Sequence, residues 1–310
     1  MTKKGTGIFL DAIDEKRFPS PFSITSQRLA DFLALTKPRL NLLVVVTAAV
    51  GYYLGAGSAL NLANLAGAVI GIALVAGGAA GLNQVYERET DSLMWRTRTR
   101  PLAANRITPT DAVIFSSGLA ILGLGLVAAA SNLLAAFLAL LTLVSYNAVY
   151  TPMKRRSQLA TLVGAVPGAL PPMIGWVAAQ GALTREAWAL FAIVFVWQIP
   201  HFMAIAWLYR DDFGRAGFPL LPVVEPDGTS TARQAVLFSL MLLPVSLAPY
   251  YLRLSGAAYA VGAIAGALAL LMLAVAFALN RTDERARRLF VGSITYLPFL
   301  WIMLIADRLR

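Results

Sequence analysis

The feature that most limits what this chain can fold into is a set of nine long apolar runs. They lie at roughly 40–57, 63–82, 111–130, 132–149, 159–179, 187–207, 234–252, 256–279 and 289–306. Each comes close to the about 20 apolar residues that a helix needs to cross a bilayer. In hydrocarbon every backbone amide must bond within the protein, so such runs become helices or the strands of a closed barrel. A barrel needs ~10-residue segments of alternating polarity, and the runs do not alternate. Several are apolar all round, unlike the one-sided helices of a soluble domain. The expectation is an all-α polytopic membrane protein, a bundle of nine transmembrane helices around a central cavity. Composition agrees: of 310 residues, 58% are hydrophobic and 14% charged, against roughly 50% and 25% in soluble domains.

Charge then orients the bundle. The chain carries 26 Lys and Arg against 16 Asp and Glu, a net charge of +10. On a soluble protein that surplus suggests nucleic acid. Here there is too little polar surface to hold it, and no nucleic-acid partner is expected. With the N-terminus in the cytoplasm, only Arg185, Arg253, Arg308 and Arg310 fall on the opposite side. This positive-inside bias predicts an odd number of spans and a C-terminus on the far side. The chain has no Cys and a single His, His201, which excludes disulfides, thiolate metal sites and a multi-histidine zinc centre. Residues 1–36 lack the apolar core of a signal peptide, and Asp11, Asp14 and Glu15 argue against a transit peptide. They read as a cytoplasmic tail, mobile over 1–25, with an interfacial helix over 27–36 ahead of a membrane domain at 37–310.

Polar groups within or beside spans are costly and therefore mark candidate sites. Asn83, Glu87 and Asp91 recur at every fourth position at the end of the second run. On a continuous helix they stack on one face, about 6 Å apart along the axis. Three oxygen-bearing side chains suit a hard cation such as Mg²⁺, and the arginines that follow, Arg96, Arg98 and Arg100, suit phosphate oxygens. The alternative is a solvated helix end whose charges pair with one another. A second cluster, Tyr150-Thr-Pro-Met-Lys154-Arg155-Arg156, closes the fourth run and also serves as a topology anchor. A third follows the sixth run: Pro200-His201, then Tyr209-Arg210-Asp211-Asp212, then a Pro-rich loop to Pro222. Its layout repeats that of the first, so the ends of spans two and six are expected to face each other across a diphosphate. Gly164 to Pro172 is expected to interrupt the fifth span, since broken backbone at that depth is tolerated where it is buried or lines a cavity. His201 reads either as a structural, hydrogen-bonded residue or as a contact to a haem iron or propionate.

Together these residues resemble the membrane-embedded aromatic prenyltransferases, and within them the haem-directed branch. The likeness runs from Lys37-Pro38-Arg39 to about Pro222; beyond it only hydropathy agrees. Gln84 and Glu87 stand where quinone-directed relatives carry acids, a substitution typical of the haem branch. The resemblance implies transfer of farnesyl from farnesyl diphosphate to a vinyl group of haem B with addition of water, giving haem O and diphosphate. It implies Mg²⁺ held by Asn83, Glu87, Asp91 and one of Asp211 and Asp212, with Asp212 preferred and Lys154 assisting catalysis. Lys37, Arg39, Arg96, Arg100, Tyr150, Arg155, His201 and Tyr209 are then the residues for diphosphate and haem. Further expected partners are membrane lipid and haem-handling or oxidase-assembly proteins, and the expected location is the bacterial cytoplasmic membrane. The competing readings are a prenyltransferase of a quinone precursor such as 4-hydroxybenzoate and a secondary transporter.

Overall fold

The computed structural model describes residues 21–309, with side chains from residue 26 onward. The tail read over residues 1–20 lies outside them. Twelve helices follow in order: α1 (Pro21–Leu35), α2 (Pro38–Ala56), α3 (Leu62–Leu93), α4 (Pro109–Ala130), α5 (Leu133–Met153), α6 (Ala160–Gln180), α7 (Arg185–Leu208), α8 (Arg210–Arg215), α9 (Leu221–Val224), α10 (Thr229–Tyr251), α11 (Ala257–Leu279) and α12 (Asp283–Ala306). Among the described residues, nine of these are long and apolar enough to cross a membrane: α2 to α7 and α10 to α12. The chain is a multi-pass helical membrane protein, as the apolar runs require. The first helix starts at Pro21, ahead of the start read from the sequence.

One departure in length positions the site. The apolar run of the second span ends near residue 82, yet α3 continues to Leu93. Its 32 residues make a rod of about 48 Å, longer than the ~30 Å hydrocarbon layer. The surplus turns carry Glu87 and Asp91 beyond the apolar part. The helix is closed at the other end by Asn61, whose side chain accepts from the amides of Ala63 and Asn64.

Small residues set how closely the spans approach. A Cβ at Gly51 of α2 would land on the Pro172 carbonyl of α6, and one at Gly175 would land on the Ala48 carbonyl. The two backbones are therefore in direct contact, as small residues allow in membranes. Gly78 of α3 meets the Ser116 carbonyl of α4 in the same way. The interruption expected over Gly164–Pro172 is absent: α6 is one helix with Pro167, Pro171 and Pro172 inside it. Each proline removes one backbone donor, but α6 is the most enclosed of the spans, and it stays helical throughout. Gln198 of α7 contributes by donating to the Ala165 carbonyl, 3.1 Å away.

The fourth span carries a local irregularity with a visible cause. Residues Ser145–Tyr150 form a π-turn, and Pro152 follows, without an amide hydrogen to continue the regular ladder. The Thr151 hydroxyl instead donates to the Tyr146 carbonyl at 2.8 Å. The wider turn rotates Thr151 and Lys154 inward, in keeping with the association of such turns with functional sites.

The close contact of α2 and α6 predicts that Gly51→Val or Gly175→Val lowers the melting temperature of the detergent-solubilised protein by several degrees, an overpacking cost of about 1–3 kcal/mol. Gly118→Ala, where an added Cβ meets nothing within 4 Å, should be neutral or stabilising by up to about 1 kcal/mol.

Candidate active site

The ladder on α3 forms as the spacing predicts, but it is buried rather than solvated. Asn83, Glu87 and Asp91 are 1%, 4% and 1% exposed. A buried carboxylate needs a partner, and each has one from a different segment. Lys154, at the end of α5, donates to Glu87 Oε1 at 2.8 Å. Arg100, in the loop after α3, reaches both oxygens of Asp91 at 2.9 and 2.7 Å. Lys37, at the corner between α1 and α2, donates to Asn83 Oδ1 at 3.2 Å, while Asn83 Nδ2 donates to Thr151 Oγ1 at 3.1 Å. Lys154 also lies 5.4 Å from the Tyr150 ring and 5.3 Å from that of Phe218, within cation–π range.

The third cluster joins the first through the backbone. Asp212 of α8 accepts from the amides of Trp95 at 3.3 Å and Arg96 at 3.4 Å, and it is paired with Arg215. Asp212 thus clasps the arginine-rich loop, so the loops that follow spans two and six touch directly, where the sequence reading set a diphosphate between the two span ends. Asp211 is exposed. The Arg96 guanidinium lies 5.2 Å from the ring of Tyr209 and has no carboxylate partner among the described residues. Arg39 and Arg155 are exposed and have no ion pair among the described residues. His201 stands apart: its ring stacks between Trp197 and Phe290, with centroids 5.2 and 5.1 Å away, and Nδ1 lies 2.9 Å from Ser293 Oγ. No hydrogen bond links it to the ladder.

The electrostatics favour an incoming anion. Lys37, Lys154, Arg96 and Arg100 outnumber Glu87 and Asp91, so the cluster carries surplus positive charge. Burial pushes the Lys37 ammonium down to about 7, with Arg100 and Lys154 adding to the shift and Glu87 and Asp91 opposing it. Burial is the main cause, and a negative group bound beside Lys37 would favour its charged form. For Lys154 burial works in the same direction, but Tyr150 and Glu87 outweigh it and its pKa is raised.

Directly behind the ladder, toward the middle of the bundle, the same face of α3 lines an apolar cavity. Ile72, Val75, Ala76 and Ala79 of α3 face Val44, Ala139, Thr142, Leu143, Pro171 and Ile174 across a void of about 30 Å³. Sequence reasoning missed two contacts here. Thr151, inside the Tyr150–Lys154 cluster, fixes the Asn83 amide; its signal is a polar side chain where the fourth span turns inward. Gln84 donates to the Leu35 carbonyl at 2.7 Å, tying α1 to the ladder.

Buried, paired carboxylates with further cations beside them at one end of a helical membrane bundle, and an apolar void behind them, make this cluster the candidate active site. The chain belongs to the UbiA prenyltransferase family, whose model matches residues 44–302. It is 46% identical over 289 residues to a Protoheme IX farnesyltransferase of Solibacter usitatus, covering 90% of this chain and 99% of that protein. A protein of the same name from Salinibacter ruber is 42% identical over 279 residues, with 90% and 99% covered. Among solved structures, a digeranylgeranylglyceryl phosphate synthase is similar with a TM-score of 0.76 at 16% identity, over 91% of this chain and 98% of that one. A UbiA homolog from Archaeoglobus fulgidus bound to GPP and Mg²⁺ has a TM-score of 0.64 at 18% identity, over 89% and 99%. At these identities the structural likeness is one of fold.

The Glu87–Lys154 pair yields a direct test. Glu87→Gln strands a largely enclosed ammonium and should cost about 3 kcal/mol of stability. Adding Lys154→Met should recover part of that loss, measured as a coupling in denaturant unfolding of the purified protein.

Proposed function

We propose that this chain transfers the farnesyl group of farnesyl diphosphate to a vinyl group of haem B with addition of water, forming haem O and releasing diphosphate. The observation that carries this reading is the junction of a cation-rich, carboxylate-bearing cluster with an apolar pocket on one face of α3. The shared name of relatives at 40–46% identity over about nine-tenths of the chain supports haem B as the acceptor. The distribution of basic residues supports a cytoplasmic N-terminus and a site at the cytoplasmic face of a bacterial inner membrane.

The donor chemistry fits Mg²⁺. Asn83, Glu87 and Asp91 are the oxygen donors on one helix face that would hold it, each now engaged by Lys37, Lys154 or Arg100, and Asp212, which meets the Trp95 and Arg96 amides, is the further carboxylate. Bound there, the metal supplies positive charge to the diphosphate leaving group. Lys154 and Arg100, which neutralise Glu87 and Asp91 in the structure, would be free to turn toward phosphate oxygens beside Lys37 and Arg96 once a metal took over those carboxylates. These side chains hold the diphosphate and stabilise the charge that grows as the allylic C–O bond breaks. The terminal vinyl carbon of haem bonds to the freed farnesyl carbon, water bonds to the porphyrin-side carbon, and one proton leaves. Arg39, Arg155 and Tyr209 are exposed and are the groups assigned here to the propionates, and Tyr150 lies beside Lys154. For His201 the Ser293 contact leaves Nε2 as the nitrogen for a porphyrin contact.

The quinone-precursor and transporter readings are disfavoured. The relatives carry the haem-directed name, and the acidic groups collect at one end of the bundle rather than at mid-depth, where transporter sites lie. The purified protein with farnesyl diphosphate and Mg²⁺ should farnesylate haem B and leave 4-hydroxybenzoate untouched. Asp91→Asn should insert normally and lose turnover by roughly 100-fold or more. Product from the phenolic acid alone, or near-normal turnover in Asp91→Asn, would contradict the assignment.

The small cavity is the proposed entry for the farnesyl tail and widens as the chain enters. Ala76→Phe fills it one to two turns from Asn83. The KM for farnesyl diphosphate should then rise roughly tenfold, with a smaller rise for the shorter geranyl diphosphate. An equal KM change for both donors would count against this path.

A further inference from the structure

Two segments outside the spanning helices supply cations to the ladder, and one guanidinium holds both. Lys37 reaches Asn83 from the α1–α2 corner, where it adopts a left-handed backbone with φ 48° and ψ 56°. That conformation is unfavourable for a side-chain-bearing residue and persists only where its surroundings impose it. Arg100 reaches Asp91 from the loop between α3 and α4. Arg106, at the far end of that loop, points to neither carboxylate of the ladder. Its Nε donates to Asp31 Oδ1 and Oδ2 at 3.0 and 3.1 Å, and its Nη2 lies 3.0 Å from Asp31 Oδ1. The same Nη2 donates to the carbonyl of Thr99 at 3.2 Å, one residue before Arg100.

Asp31 is 5% exposed, deep for a carboxylate on a short helix, and its bonds to Arg106 are what offset that burial. The rest of α1 is arranged around this contact. Phe32 packs on Phe115 with centroids 4.9 Å apart, and Leu35 joins Leu102, Ile107 and Ala112 in a small core separate from the main one. Arg28 reaches Asp111 at 3.0 Å, but both are exposed, so that pair contributes little. The forked contact is the one at Arg106, whose side chain is 40% exposed while the Asp31 side chain it grips is only 8% exposed.

We infer that Arg106 is a positioning residue for diphosphate binding, which locks the α1 corner bearing Lys37 to the loop bearing Arg100 through Asp31 and the Thr99 carbonyl. This rests on the diphosphate reading of the site given above. Arg106 does not touch the substrate; it sets the spacing between two cations that do. A planar guanidinium suits the task because its fork serves a carboxylate and a carbonyl at once, which a lysine ammonium on a flexible stem does not.

The test uses the full-length protein in detergent with Mg²⁺, measuring farnesyl diphosphate binding by calorimetry and haem B binding by the Soret band. Arg106→Gln and Asp31→Asn should each weaken farnesyl diphosphate binding roughly tenfold, leaving haem B affinity and melting temperature close to wild type. Arg106→Lys should recover only part of the loss, since it keeps the charge opposite Asp31 and forfeits the fork. Wild-type farnesyl diphosphate affinity in either folded variant would overturn the inference, as would a parallel loss for both ligands, which marks general loosening. Should Arg106→Gln fail to fold, Asp31→Asn carries the same comparison. Failure of the wild-type protein to bind farnesyl diphosphate would instead remove the functional reading, and the inference with it.

Discussion

The cost of burying carboxylates at a membrane surface organises this molecule. Glu87 and Asp91 sit on the last turns of α3, enclosed to within a few per cent, where an unpaired charge is untenable. Their partners come from elements far apart in the chain: Lys154 from the end of α5 and Arg100 from the following loop. Lys37 joins them from the α1–α2 corner through Asn83. Satisfying those charges therefore draws three segments to one end of the bundle. The same set that neutralises the acids in the free protein is left cation-rich, and so receptive to a polyphosphate and its metal.

The apolar half of the bundle makes this end possible. Direct backbone contact of α2 with α6, and of α3 with α4, depends on glycines at the crossings. Those close crossings bring the α3 face bearing Ile72, Val75, Ala76 and Ala79 against α2, α5 and α6 without filling the space between them. The polar ladder and the cavity are thus two stretches of one helix face. A substrate with a charged head and a hydrocarbon tail is matched by that continuity, and the proline-bearing but unbroken α6 provides a rigid wall opposite.

Much of the fold was legible from the apolar runs, because hydrocarbon leaves the backbone no alternative to internal hydrogen bonding. The α3 ladder was legible as well, since a four-residue period survives whatever the tertiary packing does. The fifth span was misread: its glycines and prolines suggested a break, and enclosure by neighbouring helices kept it helical. Asp212 was chosen from its position after Tyr209, yet its oxygens receive the Trp95 and Arg96 amides, a backbone contact that leaves no trace in residue type. The Asn83 contact of Thr151 and the Leu35 contact of Gln84 were not legible, because a single polar residue near a span end has many ordinary explanations.

By itself, then, the sequence determined that the chain crosses a membrane several times as helices, that its basic residues collect on one side, and that Asn83, Glu87 and Asp91 share a face. Each follows from a local rule, either the solvent's demand on the backbone or the 3.6-residue period. Only the tertiary structure decided which cation meets which acid, that the ladder is buried, and that Arg106 links α1 to the arginine loop. Those outcomes depend on residues separated by up to 75 positions, as between Asp31 and Arg106, brought together by helix packing. No local pattern encodes such a distance, because pairing at the surface of a bundle is set by which helix ends the apolar contacts have already placed side by side.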